Sequence, residues 1–162
     1  MTCLTMTRAL ILPLFLAACM PALPVAPLGA QPSAPAQPAP AAPPVEIHDN
    51  RGGNVVQMMA YRAELAASGK PVRITGACDS ACTMLITLQN ACLAPDATVG
   101  FHAPRLPGTQ VIPPIVDQLM ATHYRNGIRA RWFNEWRHSL QIQRITAQDY
   151  VRLDPMTRIC AG

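Results

Sequence analysis

The chain has 162 residues, half of them apolar and only 14% charged, with a net charge of +4, 17 prolines and six cysteines. Once the N-terminal segments are set aside, that length supports one hydrophobic core and one domain. The positive excess sits mostly between Arg125 and Arg158, where Glu135, Asp149 and Asp154 interrupt it; a solvated helical face accounts for it, and no nucleic-acid partner is expected.

Residues 1–19 read as an export signal. Arg8 precedes an apolar run too short to span a bilayer. The run ends in Leu16-Ala17-Ala18-Cys19, which resembles the bacterial lipobox, in which a cysteine after small residues is acylated and becomes the mature N-terminus. Cleavage near Ala22 or Ala30 by an ordinary secretory route is the alternative, and both export the chain. Met20, rather than an aspartate, follows the cysteine; by analogy with such lipoproteins this implies the outer membrane, facing the periplasm, with several acyl chains as a stable membrane anchor. Residues 20–44 are Pro, Ala and Gln with little else. Proline fixes φ and lacks a donor, so this segment is expected to be an extended tether.

Residues 45–162 form the domain. Val45 to His48 alternates like a strand, and the following Asp-Asn-Arg-Gly-Gly is turn chemistry. From Asn54 to Ser68 apolar residues return at helical spacing (Val55, Met58, Met59, Leu65), and Gly69 closes the helix. "KPVRIT" is a second strand, which makes a right-handed parallel crossover. Ala81 to Asn90 is apolar nearly all round, as expected of a buried helix. "TVGFH" is a third strand, followed by the proline-rich loop "APRLPGTQVIPP". Helices are expected over about Ile115 to Asn126 and Ile128 to Ser139, separated by Gly127. Thr146 and Asp149 form a capping box for a last short helix. The pattern is α/β, with helices covering a small, mostly parallel sheet.

In an exported protein Cys78, Cys82, Cys92 and Cys160 are expected in disulfides rather than on a metal, and four cysteines leave three pairings open. Cys78–Cys82 with Cys92–Cys160 is the favoured set. On a regular helix, residues four apart hold their Cβ atoms about 5–6 Å from each other, beyond the ~3.5–4.5 Å of a disulfide, so the first pair requires Cys78 to be non-helical. No metal or cofactor is expected, and no phosphate-binding motif for ATP is visible.

"GACDSAC" places Ser80 between two cysteines at the junction of a strand and an apolar run. Three landmarks, the Gly52-Gly53 turn opening a helix, this serine turn, and a strand ending in His102-Ala103-Pro104, occur in the order and at the spacing of the Clp-protease proteolytic subunit. Over about fifty residues the chain resembles that family and the wider Clp/crotonase superfamily, and more closely its exported Clp-like members with a cysteine-flanked serine. The resemblance implies a truncated Clp/crotonase-like core, a Ser80 nucleophile, a His102 base, and oxyanion donors in the N–H groups of Gly53 and Ala81.

Two departures stand against it. Where the family carries an aspartate, this chain has Leu140, Gln141, Ile142 and Gln143, leaving Asp117, Asp149 and Asp154 as candidate acids. Only one strand precedes Gly52, so the sheet edge calls for cover by the chain, a partner or a second copy. Ser80 or Asp79 also suits a helix cap, and His102 also suits a bond to a loop carbonyl. Two functions therefore stay open: an exported serine hydrolase of peptidase type acting on a peptide or protein, and a non-catalytic envelope lipoprotein using the fold as a binding or assembly scaffold.

Overall fold

A computed structural model describes residues 42–161. The signal segment, the Cys19 lipobox and most of the 20–44 tether lie outside the described residues. The domain is α/β. Strands β1 (Val45–Asn50), β2 (Val72–Asp79), β3 (Ala91–Leu93), β4 (Thr98–Phe101) and β5 (Gln143–Thr146) form one sheet with helices α1 (Val55–Ser68), α2 (Pro114–Ala121), α3 (Asn126–Asn134) and α4 (Ala147–Leu153).

β2 is the central strand. β1 runs parallel along one side of it, while β3 and β4 share the other, β3 pairing with Val72 to Ile74 and β4 with Ala77 to Asp79. β5 adds antiparallel to β4, so the sheet is mixed but mostly parallel. β1 bulges at Asp49, whose carboxylate accepts the Ala77 N–H at 2.8 Å. Among the described residues β1 is the end of the strand order and the only strand before Gly52.

α1 forms where the spacing predicts it. Asn54 caps it through the Gln57 N–H, Val55, Met58 and Leu65 face the core, and Gly69 closes it in the left-handed conformation. Thr146 and Asp149 make the expected capping box on α4, each side chain accepting the other's backbone N–H.

Four expectations are corrected. The buried helix over Ala81 to Asn90 is a tight 3₁₀ turn, Ser80–Leu85, followed by ordinary turns. Its burial is as expected, Ala81 to Leu85 being fully enclosed, but the run starts from a strand and a local disulfide rather than a helical cap. β3 and β5 are not foreseen, β3 because three residues are too few for a periodicity to register and β5 because its mostly exposed residues show no apolar face. The helices at 115–126 and 128–139 are shorter, and Gly127 lies inside α3 instead of separating two helices.

Both favoured disulfides are present. Cys78–Cys82 joins the end of β2 to the 3₁₀ turn with Cα atoms 5.4 Å apart, and Cys78 is non-helical as required. Cys92–Cys160 ties the last segment to β3, where the Cys160 N–H also donates to the Leu93 carbonyl. The two pairs take up all four sulfurs. An aromatic stack of Phe101 on Trp136 (centroids 4.0 Å apart), with Tyr124 edge-on to Phe101, fills the space between β4 and the later helices.

Candidate active site

Parallel strands end on a common edge, and in open α/β sheets that carboxyl edge is where ligands bind. β1, β2 and β4 are parallel. Gly52-Gly53 follows β1, Ser80 follows β2, and His102 follows β4. Residues far apart in sequence are brought to one place by topology alone. Gly53, Ser80 and His102 line the same cleft, of about 520 Å³.

Ser80 is held in an uncommon backbone state. Its φ is +56°, a left-handed conformation costing an L-residue roughly 1–2 kcal/mol. The surroundings over-determine it. Cys78–Cys82 bridges across it. A buried relay fixes its carbonyl: the Thr83 hydroxyl donates to Ser80 O at 2.7 Å, and the Tyr124 hydroxyl, 2.7 Å from Thr83 Oγ1, must therefore donate to Thr83. Burial raises the Tyr124 phenol well above its ordinary value, which keeps that proton in place. From the other side comes Gly52, φ +85°, where a Cβ would stand only 2.7 Å from both the Ala81 nitrogen and the Asp79 carbonyl. Only glycine allows the β1–α1 turn to press this closely.

Asp79, which the sequence offers only as a helix cap, organises the turn. Asp79 is fully buried. Arg51 Nη1 reaches Oδ2 at 2.8 Å, and Arg144 grips both oxygens, at 3.1 and 2.7 Å. Burial by itself would raise this carboxyl; the hydrogen bonds from Arg144 and Arg51 outweigh it and hold the group below the usual carboxylate range. β4 passes so near that a Cβ at Gly100 would overlap Asp79 Oδ1. An acid followed within two residues by an almost wholly apolar run is the signal that could have found this cluster, since a buried charge must be paired.

Neither Ser80 nor Asp79 caps the turn through its side chain. His102 Nδ1 lies 2.7 Å from the Ala103 carbonyl. A carbonyl only accepts, so Nδ1 donates, and in the neutral ring the lone pair is then on Nε2. The bond to a loop carbonyl is thus made, and it leaves the nitrogen that a serine base would use. Among the described residues, no hydrogen bond joins Ser80 Oγ directly to His102.

None of the candidate acids touches His102. Asp117 is buried 3.4 Å from Arg137. Asp149 completes the capping box of α4 with Thr146. Asp154 accepts from Arg125, Asn126 and Thr157. Of the proposed oxyanion donors, Gly53 is on the cleft wall, whereas Ala81 is fully buried behind Ser80 and is not among the lining residues. The rest of the wall is apolar, with Val55 and Val56 from α1, Leu106 from the loop, and Val116 from α2. Arg51 and Arg105 add charge at its margin.

No protein-family model matches the chain, and no curated protein matches it significantly.

Proposed function

We propose that the protein is an exported serine hydrolase of peptidase type, slow for its class, with Ser80 as nucleophile and His102 as base. The observation that carries this reading is a strained serine at the carboxyl edge of a parallel sheet, sharing a cleft with a histidine whose Nε2 is free to accept a proton. In the first step Ser80 Oγ attacks the substrate carbonyl, its proton passing to His102 Nε2. The C–N bond then breaks and that proton leaves with the amine. Water attacks the resulting ester, gives its proton to Nε2, and Ser80 Oγ recovers it as the acid product departs. Gly53 lines the cleft, and the Clp-like resemblance assigns the oxyanion role to its N–H and to that of Ala81.

With the Ala103 carbonyl in place of a carboxylate, His102 keeps its tautomer but lacks a charge to stabilise the imidazolium. Losing the acid of a serine triad lowers kcat by about 10⁴-fold in a well-studied case. This absence favours the scaffold as the second reading, a non-catalytic lipoprotein that keeps the fold for binding. A fluorophosphonate probe separates the two. Covalent labelling of the wild type, abolished in Ser80→Ala and sharply slowed in His102→Ala, is expected; a folded protein that stays unlabelled is a scaffold. The Leu16-Ala17-Ala18-Cys19 sequence supports anchoring at Cys19 and a periplasmic domain. Mass spectrometry should find an acylated Cys19 as the mature N-terminus, and a mature start at Gln31 would reject it.

A further inference from the structure

The cleft has a one-sided charge. Its lining includes Arg51, Arg105 and His102 and no aspartate or glutamate. Arg105 is exposed and, among the described residues, makes no hydrogen bond or ion pair. Arg51 spends one nitrogen on Asp79 and keeps 63% of its side chain open to solvent. Arg51 shares its Asp79 partner with Arg144, and the charged side chains that line the cleft are arginines alone. Around these cations the surface is apolar, and Val56 and Leu106 are exposed by 65% and 45%. Guanidinium forks match carboxylates, and exposed apolar side chains at a concave site mark what the ligand covers. The cleft volume of about 520 Å³ is that of a small-ligand site rather than of a protein face.

Resting on the hydrolase reading, we infer that this cleft takes an apolar chain ending in a carboxylate, with Arg105, aided by Arg51, holding the carboxylate and the α1–α2 wall holding the chain. Arg105 follows the base by three residues, a span of at most ~10–11 Å of backbone. The anchored carboxylate therefore lies within a few residues of the scissile carbonyl, and for a peptide it is on the leaving-group side, because the C-terminus follows the cleaved bond. A peptide C-terminus has that chemistry, and a fatty acid shares it.

Binding is measured on the full-length Ser80→Ala chain in detergent, by calorimetry, so that turnover plays no part. The probes are acetyl-Leu-Ala-Leu-Ala as free acid, the same peptide as C-terminal amide, and decanoate. For an exposed arginine the expected advantage of acid over amide is about fivefold, shrinking with added salt. It should fall below twofold in Arg105→Gln and return in part in Arg105→Lys. Tighter binding of the peptide acid than of decanoate assigns the site to peptide ends, and the reverse assigns it to fatty carboxylates; both support a carboxylate-terminated chain. Equal affinity for acid and amide, an acid preference untouched by Arg105→Gln, or no binding of any probe overturns the inference. Serine labelling of the wild type is scored separately: labelling without acid preference defeats this inference alone, and acid preference without labelling defeats the hydrolase reading alone.

Discussion

The closest packing near the site is testable through Gly100. It pairs with Asp79 across β2 and β4, and a Cβ there would overlap Asp79 Oδ1 while standing 2.9 Å from Asp79 Cγ and 2.7 Å from Ile142 Cγ2. Ile142 is 42% exposed and can swing away. Asp79 cannot, because three hydrogen bonds from two arginines fix its carboxylate. Gly100→Ala must therefore strain β4 or displace the carboxylate. Overpacking costs about 1–3 kcal/mol, and a weakened charge-assisted hydrogen bond about 1.5–3 kcal/mol, reduced here because both arginines are partly solvated. We expect a loss of about 3 kcal/mol in wild type. In an Asp79→Ala background the obstruction is gone, and the same substitution should cost under about 1 kcal/mol, a coupling of about 2 kcal/mol. Urea unfolding of the four proteins with disulfides intact measures it. A wild-type cost below about 1 kcal/mol, or equal costs in both backgrounds, would refute the account of Asp79 as a fixed obstacle.

Acid should unfold the domain partly through Asp79 and Asp154. Burial raises both, but hydrogen bonds outweigh it, from Arg144 and Arg51 at Asp79 and from Arg125, Thr157 and Asn126 at Asp154, and hold both below the usual carboxylate range, so their contribution is whole above the unfolded value of about 3.9 and is lost as pH falls through the lower folded value. Urea midpoints between pH 6 and pH 2 should fall less steeply for Asp79→Asn than for wild type, and an unchanged slope contradicts the pairing. Removing Cys92–Cys160, which spans 68 residues, should cost up to about 4 kcal/mol on the chain-entropy model, against about 2 kcal/mol for Cys78–Cys82, four residues apart. Paired alanine replacements compared by denaturation check the order. The smaller loss should nevertheless slow serine labelling more, because only that bridge crosses Ser80.

What the sequence makes legible is local or carried by strong periodicity. The α1 spacing, the Thr146–Asp149 box and the strand–helix–strand order are all short-range signals, and each forms as expected. Gly53, Ser80 and His102 are legible as a group because parallel strands deliver their following residues to one edge. The Asp79 clamp is not. Its arginines stand 28 and 65 residues away, and nothing in either neighbourhood marks them as partners. The apolar run after Ser80 does not distinguish a buried helix from a tight turn, since burial is the same in both. β5 escapes notice because its "QRIT" is mostly exposed and shows no apolar face.

The same long-range contacts explain why the turn takes this shape. A left-handed serine is unfavourable by itself, and glycine in its place would remove the strain while deleting the hydroxyl. The chain keeps the hydroxyl and constrains the backbone from each side instead: the Asp79 clamp before it, the Cys78–Cys82 bridge across it, the Thr83–Tyr124 relay on its carbonyl, and Gly52 pressed against it. The 3₁₀ geometry of Ser80–Leu85 suits this, because its tighter winding lets Cys82 reach back to a strand residue that a regular helix would leave out of range. Helix capping requires none of these restraints, since a serine or aspartate in extended backbone suffices for it, and here neither side chain caps the turn. A hydroxyl that must stand at a fixed place beside a cleft requires them all.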